Sequence, residues 1–350
     1  MTGDNRLLYE ATDFPIFQNR MYDTAESALA CPRGQIAIVE DHQTGLVHNA
    51  RFDPDLMVYD ASYQNEQANS VPFRTHLDWA ADLVVETMGT DALIEVGCGK
   101  GTFLEILADR GAAITGFDPT YEGDDPRIEK VYFGPDLGMR GNGLILRHVL
   151  EHIQNPVDFL RQLAKANGNQ GLIYIEVPCF DWICDNRAWF DIFYEHVNYF
   201  RLSDFHEIFG RVVASGHCFG GQYLYVVGDL SDLNTPVYQP ENTVQFPKDF
   251  TATLDASATT AHDVVWGGAS KGLIYSMLRA RAGRPVAGII DINPAKQNKY
   301  LAGTGLRVSA PQDILPGLPQ DARILIMNPN YTEEIKSMSD NAFSYVEVGA

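Results

Sequence analysis

The residues best placed to bind a nucleoside lie in a turn of alternating glycines. A short apolar run ends in EVGCGKG, which contains Glu95, Gly97, Gly99 and Gly101. Glycine lets the backbone turn sharply and lets a ligand lie against main-chain atoms. Asp118 follows 17 residues after Gly101, at the end of the next apolar run. Because a carboxylate in that position of a Rossmann-type unit accepts hydrogen bonds from ribose hydroxyls, the pattern predicts a nucleoside site.

The spacing of these glycines separates two classes of ligand. Dinucleotide sites use G-x-G-x-x-G, whereas this turn is E-x-G-x-G-x-G and begins with an acidic residue, which suits a cationic ligand. The turn resembles the S-adenosylmethionine loop of class I methyltransferases. That resemblance implies that the three glycines line the cofactor. It also implies that Glu95 lies near the amino-acid end of the cofactor and that Asp118 holds its ribose. A tight turn without a ligand is the alternative.

A second group of chemically capable residues lies in DIFYEHVNYF, residues 191–200. Glu195 and His196 stand beside aromatic residues there, so they could form a partly dry pocket with a base that works near neutral pH. Methyl transfer from a sulfonium needs alignment and a group that takes the acceptor's proton. Taken alone, these residues fit a buried structural histidine better than a catalytic one.

The same segment also resembles a known family. FYEHVNYF is similar to the Y-H-E-H-x-S-Y-F block of sugar-nucleotide C-methyltransferases, and WGGASKG, IIDINPAKQNKYLAGTG and MNPNYTEEI resemble their companion domain. Together with the cofactor loop, these blocks cover about residues 92–340. The resemblance implies that His196 is the base and that Glu195 assists it. Phe193 and Tyr194 replace the Tyr-His pair of the block, so a hydroxyl is either lost or moved to Tyr194.

The N-terminal region departs further from that family. The family's zinc module is built on cysteine pairs and has no counterpart here, because Cys31 stands alone. FDPDLMVYDASYQNEQANSVPFRTHL still resembles the stretch that follows the module, which implies that Tyr63 and Ser70 close over the cofactor. These departures leave both C-methylation and O-methylation open.

Two histidines flank the end of the third predicted strand, in LRHVLEHI. His148 faces the predicted cofactor crevice and is a candidate substrate contact. The i, i+4 spacing of His148 and His152 also suits a metal site. Since the sequence reveals no third ligand with suitable spacing, we expect no metal and a structural role at a helix end for His152.

A second glycine turn, WGGASKG, spans residues 266–272 and opens a helix. Backbone N–H groups at that helix start, together with Lys271, favour a phosphate. Asp291 ends the next strand and is placed for a ribose, so the nucleotide of a substrate could bind here. An equally supported alternative is a degenerate unit that only packs against the first.

Alternating strand and helix patterns position these residues. ALIEV, AAITGFD, GLILRHVL and GLIYIEVP have the character of buried strands, and helical segments separate them. They predict an α/β fold with a doubly wound, Rossmann-like methyltransferase sheet. VVASGHCFGGQYLYVVGDL predicts an antiparallel hairpin at one edge of that sheet. A similar series that starts near Asp263 predicts a smaller C-terminal Rossmann-like α/β domain.

The chain has 350 residues, which suits about two domains. We predict an N-terminal lobe of loops and short elements at 1–75 and a methyltransferase domain at 76–232. A proline-containing linker at 233–260 then leads to the C-terminal domain at 261–350. The net charge of −20 disfavours binding to nucleic acid. No apolar run suits a membrane span, the N-terminus lacks a signal-peptide pattern, and the five cysteines form no C-x-x-C pair, so we expect a cytoplasmic protein.

These inferences predict an enzyme that uses S-adenosylmethionine to methylate a small molecule, with a sugar nucleotide or a biosynthetic intermediate as acceptor. Three alternatives stay open. One is attack on another sulfonium carbon, by alkyl transfer or cyclisation, with release of methylthioadenosine. The second is an NAD-dependent oxidoreductase with two Rossmann units. The third is a non-catalytic nucleotide-binding module in which Glu195 and His196 are structural. The sequence does not indicate the oligomeric state.

Overall fold

An antiparallel sheet opens the computed structural model, which describes residues 5–57, 70–256 and 260–348. The first elements are β1 (Arg6–Pro15), β2 (Met21–Tyr22), α1 (Ala25–Leu29), β3 (Arg33–Glu40) and β4 (Val47–Asn49). Strands β1, β3 and β4 are antiparallel neighbours. The expectation of loops and short elements was therefore wrong for β1 and β3. β1 mixes apolar and charged residues without strict alternation, and it is stabilised by its long ladder with β3 rather than by a recognisable pattern of its own.

A seven-stranded sheet forms the second unit. Its elements, with those packed on it, are α2 (Val71–Met88), β5 (Leu93–Val96), α3 (Thr102–Asp109), β6 (Ile114–Phe117), β7 (Ile128–Glu129), β8 (Gly143–Arg147), α4 (Pro156–Ala166), β9 (Leu172–Pro178), α5 (Phe180–Asp185), β10 (Asn198–Tyr199), α6 (Leu202–Ile208), β11 (Val212–Cys218) and β12 (Tyr223–Asp229). The strand order is β11-β12-β9-β8-β5-β6-β7. Strands β5 to β9 are parallel, and β12 and β11 form the antiparallel edge. This confirms the predicted doubly wound sheet with its edge hairpin.

The strand order fixes where a ligand can bind. The chain runs from β5 outward through β6 to β7 and then returns to the other side of β5 as β8. In open α/β sheets, ligands bind at the carboxyl ends of the strands where the order reverses in this way. The turn after β5 and the loop after β8 therefore share one crevice.

Apolar residues alternate between the two faces of the sheet. Along β8, Leu144 and Leu146 belong to one buried cluster, and Ile145 belongs to the cluster on the opposite face. Because both faces are covered, the central strands are continuous apolar runs, as expected for a parallel sheet. None of the helices in the described ranges is both long enough and apolar enough to span a membrane.

A five-stranded parallel sheet forms the C-terminal unit. After α7 (Ala252–Ala256), its elements are β13 (Asp263–Trp266), α8 (Ser270–Arg281), β14 (Gly288–Ile290), β15 (Tyr300–Leu301), β16 (Val308–Ser309), α9 (Pro311–Ile314), β17 (Arg323–Ile326), α10 (Thr332–Met338) and β18 (Ser344–Glu347). The strand order is β16-β14-β13-β17-β18, and every neighbouring pair is parallel. The predicted small Rossmann-like unit is present, with its own order reversal between β13 and β17.

Several contacts cross between the three units. β10 pairs with β4, and β15 pairs with β2, so both later units extend or cover the N-terminal strands. Within the predicted linker, the N–H of Val244 donates to the carboxylate of Glu40 at 2.8 Å. The predicted boundary after residue 75 needs correction because it falls inside α2, which begins at Val71.

Candidate active site

The turn after β5 requires glycine at three positions. Gly97, Gly99 and Gly101 have φ of +73°, +55° and +82°, a region that residues with a side chain rarely adopt. A Cβ added to Gly97 would lie 2.6 Å from Cγ2 of Val149, so the turn is pressed against the loop after β8. A Cβ added to Gly99 would meet no atom of the described residues within 4 Å. The open surface above Gly99 is where a ligand can approach the backbone.

The carboxylate of Asp118, after β6, holds this turn in place. Its Oδ2 accepts the N–H of Gly99 at 2.9 Å, and its Oδ1 accepts the N–H and hydroxyl of Thr120 at 2.8 and 2.7 Å. A carboxylate has about four acceptor positions. Asp118 therefore retains the capacity to accept a further hydrogen bond beside Gly99.

Glu95 lies beneath the turn rather than on its surface. Only 3% of this residue is exposed, and the backbone N–H of Leu104 in α3 donates to its carboxylate. Burial raises the pKa of Glu95 to about 8, with Arg147 opposing the rise and Asp118 adding to it. Its Oε2 has no hydrogen-bond partner within the described ranges. A carboxyl group with this pKa is mostly protonated at neutral pH, and a positively charged ligand nearby would favour its ionised form.

The loop after β8 begins with a strained residue. His148 has φ of +52°, although it is not glycine, and such outliers persist where the surroundings hold them. Its Nε2 lies 3.1 Å from Oε1 of Glu176, and its Nδ1 lies 3.4 Å from Oε1 of Glu151. Burial lowers the pKa of His148, but the two carboxylates outweigh burial and raise it to about 9. His148 is therefore a cation at neutral pH, a quarter of it exposed at the crevice.

Glu176 anchors this cation from the middle of β9, and sequence analysis did not identify its role. Its Oε1 also accepts from Arg147 at 2.8 Å and lies 3.0 Å from Nε2 of His76, while the hydroxyl of Tyr174 donates to Oε2 at 2.6 Å. Although burial opposes ionisation, Arg147 and the histidines hold the pKa of Glu176 well below its usual range. A charged residue inside the apolar strand LIYIEVP was the available signal, since buried carboxylates are paired.

His196 lies at the carboxyl end of β8 inside a shell of rings. Its ring centroid is 4.8 Å from that of Phe193, 5.0 Å from His152 and 6.4 Å from Tyr199. Burial, and then the neighbouring His152, His148 and Lys271, hold the pKa of His196 well below its usual range. The structure records no hydrogen bond from its ring to any described residue. A neutral imidazole with free ring nitrogens can accept a proton.

The two residues before His196 face the N-terminal unit. Oε1 of Glu195 accepts the N–H of Gln18 at 2.9 Å. The hydroxyl of Tyr194 accepts the N–H of Asp53 at 2.9 Å, and its ring packs beside Phe52. The hydroxyl of Tyr194, which was predicted to be catalytic, thus contacts the N-terminal unit. Its fully buried ring supports the N-terminal sheet, because strand β3 approaches it at a glycine.

Glu151 joins His152 and His196, a combination that sequence analysis did not find. One donor atom from each of these three residues lies within 4.8 Å of the other two. Nδ1 of His152 donates to the backbone carbonyl of Glu195 at 2.8 Å, which agrees with the structural role expected for His152. His148, the histidine paired with it in the sequence argument, faces Glu176 instead.

The second glycine turn meets the segment that carries His196. Nζ of Lys271 lies 2.8 Å from Oδ2 of Asp191 and donates to Oε1 of Gln222 at 3.0 Å. Asp291 accepts the N–H of Gly268 at 2.8 Å, as Asp118 does in the first turn. Its Oδ1 accepts the N–H of Asn293 at 2.8 Å, and Nζ of Lys296 lies 3.4 Å from its Oδ2. Both predicted residues therefore lie at the second turn, with their polar atoms already engaged.

Ser70 and Tyr63 are the two N-terminal residues that were predicted to close over the cofactor. Tyr63 lies outside the described residues. Ser70 precedes α2, and its hydroxyl donates to Oε2 of Glu334 at 2.8 Å, while Oε1 of Glu334 accepts the N–H of Val71 at 3.1 Å. The start of α2 is thus fixed to the C-terminal unit.

The fold and the first turn together define a class. The doubly wound sheet, its antiparallel edge, the E-x-G-x-G-x-G turn and the aspartate after β6 are those of class I S-adenosylmethionine-dependent methyltransferases. The residues present fit that cofactor: the surface above Gly99 is open, Asp118 can accept from a ribose, and Glu95 offers an unpartnered buried oxygen to a cation. Residues 63–212 match the family model described as a methyltransferase domain.

Individual proteins are similar to part of this chain. NovU, a curated C-methyltransferase of Streptomyces niveus, is 26% identical over 175 residues, which cover 45% of this chain and 41% of that protein. The chain thus aligns with less than half of the length of this relative. Magnesium protoporphyrin IX methyltransferase of Synechocystis, solved with S-adenosylmethionine, is 15% identical, with 48% of this chain and 86% of that chain covered and a TM-score of 0.35. For 1,6-didemethyltoxoflavin-N1-methyltransferase of Burkholderia thailandensis, the identity is 12%, the coverage 57% and 96%, and the TM-score 0.36.

Proposed function

We propose that this enzyme methylates a carbon or an oxygen of a sugar nucleotide or a related small-molecule intermediate, with His196 as general base. The resemblance of FYEHVNYF to the block of sugar-nucleotide C-methyltransferases supports this acceptor class, as does the C-methyltransferase from Streptomyces niveus. The match to a methyltransferase domain favours this reaction over the NAD-dependent alternative.

The observation that carries the proposal is the position of the His196 ring, 5.0 Å from that of His152 after β8 and 4.8 Å from that of Phe193. Burial and the neighbouring His152, His148 and Lys271 hold its pKa well below its usual range, which favours the unprotonated ring at neutral pH. It lies beside the loop after β8, which contacts the glycine turn through Val149 and Gly97. A general base must be unprotonated and close to the bound reactants.

Each part of the site has a definite task in this reaction. When bound, S-adenosylmethionine supplies an electrophilic methyl group. Gly99 and Asp118 hold its nucleoside, and Phe193 and Tyr199 exclude water from the reaction centre. His196 removes a proton from the acceptor. With a keto-sugar that proton comes from the carbon next to the carbonyl, and the resulting enolate carbon is methylated. With an alcohol the proton comes from the hydroxyl oxygen.

We further propose that the second turn and His148 recognise the nucleotide part of the acceptor. Lys271 and His148 are positive groups close enough to His196 to depress its pKa, in a chain whose net charge is −20. Asp291 holds the N–H of Gly268 in the geometry that Asp118 has with Gly99. Binding of a phosphate by Lys271 requires its ion pair with Asp191 to be shared or exchanged.

We place this reaction in the cytoplasm. All five cysteines are unpaired, which supports a reducing compartment.

A panel of sugar nucleotides tests the proposed function. Purified protein is incubated with S-adenosylmethionine and each candidate acceptor, and S-adenosylhomocysteine release is measured together with the mass of the product. We expect turnover with at least one keto-sugar or hydroxyl acceptor and a loss of at least about 100-fold in His196→Gln, the usual range for a general base. His217→Gln is the matched control, because that histidine is exposed on β11. Full turnover in His196→Gln contradicts its role as base, and methylthioadenosine as by-product contradicts methyl transfer.

A further inference from the structure

We propose that Glu151 is the carboxylate that positions His196 and stabilises it when it takes up a proton, and that Glu195 does not perform this task. This inference rests on the proposed function of His196 and names a residue that acts through it. Glu151 lies in a single-turn helix after β8, 45 residues before His196 in the chain.

The position of Glu151 is the first argument. A carboxylate oxygen of Glu151, a ring nitrogen of His152 and a ring nitrogen of His196 lie within 4.8 Å of one another. The structure gives no direct hydrogen bond between Glu151 and the His196 ring, and a gap of up to 4.8 Å can be spanned by one bridging water, which transmits a hydrogen bond with little loss of strength. The cluster can therefore connect a ring N–H of His196 to a carboxylate.

The burial of Glu151 is the second argument. Only 2% of this residue is exposed, and its Oε2 has no hydrogen-bond partner among residues 5–57, 70–256 and 260–348. Its Oε1 faces Nδ1 of His148 at 3.4 Å. A buried carboxylate oxygen without a hydrogen-bond partner destabilises the fold, unless a donor reaches it at some step of the reaction.

The charged groups around His196 indicate what Oε2 of Glu151 does in the reaction. His152, His148 and Lys271 all disfavour a positive charge on the ring. Once His196 has accepted a proton from the acceptor, the imidazolium therefore needs a nearby negative group. Glu151 is the carboxylate that the geometry supplies.

Glu195 is directed elsewhere, although it is adjacent to His196 in sequence. Its Oε1 accepts the backbone N–H of Gln18 in the N-terminal unit. Its backbone carbonyl is the group that contacts the cluster, where it accepts Nδ1–H of His152. That bond places a hydrogen on Nδ1 of His152 and orients its ring.

The proton balance of the step is simple. One ring nitrogen of His196 forms an N–H bond with the proton that leaves the acceptor. The electron pair left on the acceptor would form the bond to the methyl group that S-adenosylmethionine supplies, and the electron pair of the broken carbon–sulfur bond would stay on the sulfur. The other ring nitrogen donates its N–H, through the bridging water, toward Glu151. The positive charge on the imidazolium and the negative charge on Glu151 then offset each other, and the proton leaves to solvent after product release.

Nitrogen-15 NMR of histidine-labelled protein tests this arrangement without an acceptor. The full-length chain is studied with S-adenosylhomocysteine added, and the His196 signals are assigned by their loss in His196→Gln. If Glu151 accepts from His196 through water, wild-type His196 occupies one neutral tautomer. Glu151→Met removes the acceptor at similar size, so we expect both tautomers to be populated. The matched variant Glu195→Met is expected to leave the His196 tautomer unchanged.

A second variant covers the case in which Glu151→Met does not fold. Glu151→Gln keeps an acceptor oxygen but removes the charge, and we expect one tautomer with an upfield shift of the His196 N–H proton. An unchanged tautomer in Glu151→Met, an unchanged N–H shift in Glu151→Gln, or a change caused by Glu195→Met overturns the proposal. It is also overturned if micromolar Zn²⁺ shifts the His152 and His196 signals in wild type but not in Glu151→Gln, because the cluster is then a metal site.

Steady-state kinetics with an acceptor that supports turnover test the role of Glu151 independently of the NMR measurement. We expect Glu151→Gln to lower kcat by about 10- to 100-fold with unchanged affinity for S-adenosylhomocysteine, and to cause no further loss in a His196→Gln background, because residues that act as a unit are not additive. Additive losses overturn the proposal. If no acceptor is found, the proposed function fails while the NMR result still decides the role of Glu151.

Discussion

Alanine substitutions at three glycines separate the ligand surface of the first turn from its structural supports. Gly99→Ala places a Cβ in open space at φ +55°, so folding should lose only the left-handed penalty of about 1 kcal/mol. Gly97→Ala has a similar penalty, and its Cβ would also lie 2.6 Å from Cγ2 of Val149. Because Val149 is β-branched and its side chain cannot easily rotate away, this overpacking should lower the free energy of unfolding by a further amount of about 1–3 kcal/mol. Gly111→Ala, with φ +84° and no atom within 4 Å, is the control at the opposite end of α3.

Urea denaturation and calorimetric titration with S-adenosylhomocysteine measure the two effects. We expect Gly99→Ala and Gly111→Ala to have similar free energies of unfolding and Gly97→Ala to be the least stable of the three. The affinity for S-adenosylhomocysteine should fall at least about tenfold in Gly99→Ala, equivalent to about 1.4 kcal/mol, and stay at the wild-type value in Gly111→Ala. Wild-type affinity in a folded Gly99→Ala protein would refute the reasoning, because the cofactor then does not lie against this glycine.

Three further changes test the supports of the site. Because the folded-state pKa of His148 is raised to about 9, its contribution to stability is complete below about pH 6.5 and disappears as the pH rises to about 9. Urea denaturation across that pH range should show the free energy of unfolding falling by up to about 3 kcal/mol in wild type, and this fall should be absent in His148→Asn. An equal pH dependence of the unfolding free energy in both proteins contradicts this expectation. Lys271→Met leaves buried Asp191 without its partner and should lower the free energy of unfolding by about 3–5 kcal/mol. The Lys271→Met, Asp191→Asn double variant should recover part of that loss. If the losses of free energy from the two substitutions are fully additive, the two residues do not act as a pair. Glu334→Ala removes the carboxylate that caps α2 and should lower thermal stability by the equivalent of about 1 kcal/mol. Adding Ser70→Ala to this variant should lower the stability little further. If the two substitutions lower the stability independently, the two residues do not share a contact.

The elements that carry the cofactor turn were predictable from sequence because they depend on local rules. Buried parallel strands are continuous apolar runs, and left-handed turns need glycine, so β5, its turn and Asp118 could be placed without the structure. The same holds for the second turn and its aspartate. The glycine pair at 220–221 marked the edge hairpin for the same reason, since both residues have positive φ.

The reaction centre was only partly predictable because tertiary contacts assemble it. Glu151 and Glu176 meet their partners 45 and 100 residues away along the chain, at His196 and His76. No periodicity encodes such pairings. Sequence adjacency was misleading for Tyr194, whose direction is set by packing against the N-terminal sheet. The N-terminal strands were missed for the same reason, since their stability comes from pairing with each other.

The placement of the two turns explains why residues 191–200 are so deeply buried. In each Rossmann-like unit, the aspartate after the second strand holds an N–H of the glycine turn, at 2.9 Å from Gly99 and 2.8 Å from Gly268. The segment touches both units: Asp191 pairs with Lys271 of the second turn, and His196 packs on His152, which follows β8 of the first. The proposed base therefore lies where a donor on one unit and an acceptor on the other could both reach it. Burial is the main cause of the low pKa of His196, so the packing that positions the proposed base also keeps it neutral.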